Sequence, residues 1–168
     1  MNAENQEQCK NARKRHIDAI LESKSKKKIV VAGPGTGKTY LFKTLLSRTK
    51  GGLTLTFINS LVEDLALELN GISTVQTLHG FARGVMAKAA KKGIKIFGRL
   101  SAIVEEDAAA LDRPPMRFEP LFHQMTIDGE DFNFYRARKD YYAHYGFTDV
   151  IFAAVKWFEA NNEKIPKF

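Results

Sequence analysis

Between Lys28 and Leu46 the chain passes from an apolar stretch, through a glycine-rich octet, into a helical pattern. Lys28-Ile29-Val30-Val31-Ala32 reads as a short buried strand. Ala32-Gly33-Pro34-Gly35-Thr36-Gly37-Lys38-Thr39 follows, and Leu41, Phe42, Leu45 and Leu46 then recur as one face of a helix from about Lys38 to Arg48. The octet matches G-x-x-x-x-G-K-[ST] everywhere except its first position, where Ala32 stands for glycine. Glycines let consecutive backbone N–H groups curl around phosphate oxygens without a side-chain clash. The start of the following helix adds partial positive charge. Lys38 can reach the β- and γ-phosphates as a point charge, and Thr39 can offer its hydroxyl to Mg²⁺. Ala32, Gly33, Pro34, Gly35, Thr36, Gly37, Lys38 and Thr39 are therefore the expected binding residues for a nucleoside triphosphate with Mg²⁺. Lys38 and Thr39 are the candidate catalytic pair.

Charge sharpens the class of ligand. Residues 1–50 hold 12 Lys and Arg against 4 Asp and Glu, although the net charge of the 168 residues is only +7. A second stripe lies in the balanced remainder. No acid occurs between Glu68 and Glu105, while Arg83, Lys88, Lys91, Lys92, Lys95 and Arg99 all fall there. Such stripes attract polyanions by counterion release, or else form a solvated helix face. Cys9 is the only cysteine, so no internal disulfide framework exists. No run approaches the ~18 apolar residues of a membrane span, so no membrane partner is expected. The first 28 residues lack an apolar signal core, which makes the cytoplasm the expected compartment.

Further along, residues 5–22 read as a helix and 53–58 as a second strand. Ser60 can cap a helix over 61–69, with Glu63 completing a capping box. Ser73-Thr74-Val75 is strand-like, and a helix follows from about Leu78 to Lys91. Strands alternating with helices argue for an α/β fold with a parallel sheet flanked by helices. The alternation fades after Gly93. Residues 102–111, 134–145 and 149–161 look helical, the last with Thr148 as N-cap, while 112–133 read as irregular.

Three segments together resemble the UvrD/Rep-type superfamily 1 DNA helicases. The phosphate loop resembles that family's first motif. Leu53-Thr-Leu-Thr-Phe-Ile-Asn-Ser60 looks like its motif Ia, and Thr77-Leu-His-Gly-Phe-Ala82 looks like motif Ib. Ile103-Val-Glu-Glu-Asp107 with Leu111, and Gly146-Phe-Thr-Asp-Val-Ile151, are weaker likenesses to the start of the helical 1B insertion and to the helix that returns from it. The resemblance implies an ATP-driven motor on single-stranded DNA. It implies a P-loop NTPase of RecA-like architecture: an ATP-binding core over 1–100, a mostly helical 1B-like insertion over 101–147, and a returning core helix over 148–168. Phe57, Asn59, Thr77, His79, Phe81 and Arg83 would lie toward the strand, with His79 and Phe81 available for stacking. Each has an alternative role. Asn59 can cap a helix, Phe57 and Phe81 can belong to the core, and His79 can serve a local hydrogen bond. Nothing here reads the sugar, so RNA stays open beside DNA.

The family's second motif, an apolar strand ending Asp-Glu-x-Gln, has no counterpart. Glu105, Glu106 and Asp107 follow an apolar pair but sit in a helical pattern, and are rejected as the hydrolytic site. The adenine-contacting glutamine has only Gln6 and Gln8 as candidates, both far from Lys38. The expectation is an N-terminal piece of a helicase-like protein, with an incomplete sheet, that binds nucleotide without turning it over. The partners it lacks would be the C-terminal helicase domains. An open sheet edge would favour self-association. Two other readings compete. One is a stand-alone nucleotide-dependent nucleic-acid-binding module. The other is a small phosphoryl-transfer kinase, in which Arg136, Arg138 and Lys139 would imitate a lid.

Overall fold

The structure is a computed structural model and describes residues 3–48 and 51–166, with side chains from residue 7 onward. The architecture is mixed α/β and mostly helical, with one small open two-stranded parallel sheet. The elements are α1 (Ala3–Glu22), α2 (Lys38–Leu46), β1 (Leu53–Thr56), α3 (Ser60–Glu68), β2 (Thr74–Thr77), α4 (Leu78–Ala90), α5 (Leu100–Ala110), α6 (Glu119–His123), α7 (Glu130–Tyr142) and α8 (Phe147–Ala160). A 3₁₀ turn, Asn162–Lys164, follows. The chain divides into two compact units. The first holds the residues up to Thr54 together with Glu63–Thr74. The second holds Leu55–Val62 and Val75 onward.

In the first unit, α1 and α2 flank the glycine-rich turn. Leu41 of α2 and Leu69, just past α3, are its buried apolar side chains among the described residues. The start of the sheet is pinned by Thr74 N–H donating to Gly52 O at 2.9 Å, and by the Thr54 and Ser73 hydroxyls at 2.8 Å. The strand expected over 28–32 does not form. Ile29 and Val31 are 94% and 96% exposed, and the segment joins no ladder. A strand exists only when a neighbour takes its N–H and C=O groups. Among the described residues β1 and β2 pair with each other and neither pairs with this segment. Its apolar character alone therefore does not make it a strand.

The second unit has two contiguous cores sharing α8. One face of α8 sends Val150 and Ala154 against Ala82 and Val85 of α4 and against Ile94. Phe152 points the other way, into a cluster with Leu100, Val104 and Ala108 of α5, Phe118, Phe122 of α6 and Tyr135 of α7. Positions 150 and 154 lie one turn apart, whereas 152 lies about 200° round the helix from 150, so α8 is apolar on two sides. The aromatic rings interlock at tilted and edge-to-face angles: Phe122 meets Tyr135 at 4.8 Å and Phe152 at 5.5 Å. Burial of each such ring contributes about 1.5–3 kcal/mol.

Polar groups clamp this unit. Arg138 of α7 donates from Nε to the Asp107 carboxylate of α5 at 2.6 Å, and the Tyr142 hydroxyl donates to the same carboxylate at 2.9 Å. Tyr145 N–H donates to Lys95 O and Phe97 N–H to Tyr145 O, tying the loop after α4 to the start of α8. Two glycines permit the approach there. A Cβ at Gly98 would stand 2.5 Å from the Phe147 ring, and one at Gly146 would stand 3.1 Å from the Tyr135 hydroxyl. The stretch 112–133 is more ordered than its prolines suggest, because Pro120 sits in the first turn of α6, where its missing N–H costs nothing. Gly146, rather than Thr148, occupies the N-cap of α8. Asp149, in the first turn of α8, is 3% exposed, and neither its carboxylate oxygens nor the nearby Tyr135 hydroxyl completes a hydrogen bond. Burial pushes its carboxyl up to about 7, opposed in part by the Lys139 charge.

Candidate phosphate-binding loop and nucleic-acid face

Gly35 and Gly37 adopt φ of 69° and 84°, the left-handed region that side-chain-bearing residues avoid. These two conformations turn the chain tightly enough for α2 to begin at Lys38 directly after the loop. Gly37 is the N-cap of α2 and provides no capping side chain. The first N–H groups of the helix therefore remain available to an anion. The Lys38 ammonium folds back across the loop and donates to Gly33 O at 2.7 Å and Ala32 O at 3.1 Å. Thr36 closes the turn by donating to Gly33 O at 2.8 Å. Thr39 is half-buried in the first turn of α2.

The loop opens on a cavity of about 630 Å³. Its apolar wall includes Ile17, Ile20, Val30 and Leu41, its charged groups are Lys38 and Arg13, and the His16 imidazole also lines it. None of the described residues lining it is Asp or Glu. Arg13 reaches in from α1. A Cβ on Gly37 would run into its guanidinium, and the guanidinium lies over the Tyr40 ring at 5.0 Å. Gly37 thus has two independent reasons to lack a side chain. This geometry fits a phosphate chain: a cation, a helix start and a glycine turn face one space, with no carboxylate to repel the ligand. Mg²⁺ held with a nucleotide keeps several waters and takes most of its remaining ligands from phosphates. Thr39, whose hydroxyl was expected to reach that ion, is not among the residues lining the cavity. Among the described residues no cluster of three or more His, Cys, Asp or Glu side chains could hold a metal by itself.

The residues expected at a nucleic-acid strand fall in the second unit. Phe57 and Asn59 directly follow β1, Thr77 ends β2, and His79 opens α4. The two strands are parallel neighbours, so these positions share one edge of the sheet. Phe57 is 80% exposed, and Asn59 and Arg83 are exposed. Thr77 caps α4, its hydroxyl accepting from Gly80 N–H at 3.0 Å. His79 is half-buried, edge-on to Phe147 at 5.1 Å. Phe81 packs against the α4–α8 core and stacks on Phe158 at 6.2 Å. Lys88, Lys91, Lys92, Lys95 and Arg99 are all exposed, so the acid-free stripe presents its charge to solvent.

Gln8 lies exposed on α1 and is not among the residues lining the cavity, and the Gln6 side chain falls outside the described residues. Glu105, Glu106 and Asp107 lie on α5, where Asp107 is held by Arg138 and Tyr142. Arg138 is therefore committed to an ion pair rather than free as a lid cation, while Arg136 is exposed on α7. Arg13 and His16 are the cavity residues that sequence reasoning passed over. Their one signal is periodic: Cys9, Arg13, His16, Ile17 and Ile20 form a single stripe on α1. No protein-family model, no curated protein and no solved structure matches this chain.

Proposed function

We propose that this chain binds a magnesium–nucleoside triphosphate, ATP in the first instance, on residues 32–39. We further propose that it presents single-stranded nucleic acid to the sheet edge formed by Phe57, Asn59, Thr77 and His79, as the first motor domain of a UvrD/Rep-type helicase would. In that reading the fold is a partial RecA-like core. The C-terminal helicase domains would be the missing partners, and the chain alone would hold nucleotide without hydrolysing it. The observation that carries the proposal is the loop geometry. Two left-handed glycines deliver an uncapped helix start, and Lys38 lies on the carbonyls of Ala32 and Gly33. A lysine whose donors are satisfied by loop carbonyls has a ready exchange of partners when phosphate oxygens arrive. The exposed basic side chains from Arg83 to Arg99 support a polyanion as the second ligand.

The test is a titration of a fluorescent ATP analogue with Mg²⁺ into the wild type and Lys38→Ala, paired with phosphate release with and without single-stranded DNA. Saturable binding that is lost in Lys38→Ala, with no release in either condition, is expected. Wild-type protein that fails to bind would end the nucleotide reading. DNA-stimulated release that needs Lys38 would return a hydrolytic carboxylate to this chain and overturn the no-turnover part.

A further inference from the structure

Arg13 is a cation at the loop that neither the motif nor the resemblance accounts for. It comes from α1, lies against Gly37 at the start of α2, and rests over the Tyr40 ring at 5.0 Å. It forms no ion pair among the described residues, and no carboxylate lines the cavity it enters. In isolation this is an unfavourable place for a cation, because a helix start carries partial positive charge and Lys38 lines the same cavity. Contact with the face of Tyr40 offsets part of that cost. An anion between the guanidinium and the helix start would turn both repulsions into attractions. A guanidinium also offers a planar fork that matches two phosphate oxygens at once.

We propose that Arg13 is a second phosphate-binding cation of this loop, supplied from α1, and that it makes the site favour triphosphate chains over monophosphates. The inference rests on the nucleotide reading above and adds the ligand's distinguishing chemistry, the length of its phosphate chain. Lys38 alone would serve any phosphate seated in the turn. Two cations lining one cavity, Lys38 on the loop carbonyls and Arg13 against Gly37, reward a longer chain that reaches both. Tyr40 holds the guanidinium in place before the ligand arrives, which limits the rotamer freedom lost on binding.

The experiment competes ATP, AMP and inorganic tripolyphosphate against a fluorescent ATP analogue on the wild type, Arg13→Ala, Arg13→Gln and Lys38→Ala, with circular dichroism to confirm folding. Arg13→Ala is expected to weaken ATP and tripolyphosphate about 10- to 100-fold, as loss of a charge-assisted hydrogen bond does. AMP should change by less than about twofold in the same variant. Should Arg13→Ala fail to fold, the neutral and closer-sized Arg13→Gln carries the same comparison. Equal weakening of AMP and tripolyphosphate would mean that Arg13 only supports the loop's shape, and would overturn the proposal. So would unchanged tripolyphosphate affinity. Loss of binding in Lys38→Ala with no effect of Arg13 substitution would remove the Arg13 inference and leave the nucleotide reading standing. Wild-type protein that binds none of the three would remove both.

Discussion

The two units of this molecule divide the work unequally. The first carries the phosphate loop but buries only Leu41 and Leu69 among its described apolar side chains, while Ile29, Val31, Tyr40, Phe42 and Leu67 stand exposed. The second carries two interlocked cores and buries eight residues in the aromatic cluster alone. A loop that admits a phosphate chain, as proposed for residues 32–39, keeps its backbone donors open to solvent, and such openness subtracts from packing. Packing is supplied instead by the two cores of the second unit. Substitutions in those cores should therefore change folding, and substitutions in the glycine-rich loop should leave folding nearly unchanged.

The largest effect is expected in the aromatic core. Phe122→Ala should cost about 3–5 kcal/mol of unfolding free energy, because the ring meets both Tyr135 and Phe152 and the space cannot collapse around its loss. Urea denaturation measures it, and a cost below about 1 kcal/mol would show that the cluster is looser than its ring geometry indicates.

Next comes Asp149. Its folded carboxyl titrates near 7, against 3.8 for an ordinary aspartate, so the folded protein holds a proton that the unfolded chain releases between those values. Where the folded state binds more protons, stability falls as pH rises. This group's contribution is thus fully present below about pH 4 and lost by the time pH passes 7, a change on the order of 4 kcal/mol. Asp149→Asn should flatten the stability profile across that window relative to the wild type. Parallel profiles for the two proteins would show that Asp149 is solvated after all.

Arg138→Ala should have a smaller effect, since among the described residues it leaves the part-buried Asp107 carboxylate with the Tyr142 hydroxyl alone. Double substitution with Asp107→Ala should recover part of the loss, and strict additivity would argue against a coupled pair.

The smallest folding effects belong to the first unit, and they sharpen the contrast most. Val31→Lys should leave unfolding free energy within about 0.5 kcal/mol of the wild type, because its side chain is 96% exposed. It should nevertheless reduce concentration-dependent association in sedimentation, since a charge blunts an apolar segment that has no strand neighbour. A wild type that stays monomeric at high concentration would break the link between that segment and association.

Much of the loop was legible from residue order. Glycines at 35 and 37 foretell positive φ, and the helix that follows needs only Lys38 to Leu46 to declare itself. The amphipathic runs that became α1, α4 and α8 were readable for the same reason: a helix satisfies its backbone within four residues. The strand expected over 28–32 was misread because a strand's bonds come from a partner that local composition does not name. Phe81 shows the same limit. Its motif position suits a stacking platform, yet its ring lies on Phe158.

By itself, then, the order of residues determined the turn chemistry of residues 32–39, the helical stripes and the acid-free basic stretch. Each is a property of neighbours in the chain. Only the tertiary structure decided that Arg13 would enter the loop's cavity, that α8 would be buried on two faces, and that Asp149 would lose its water. Burial and approach depend on groups far apart in sequence, and their free energy exists only once those groups have met.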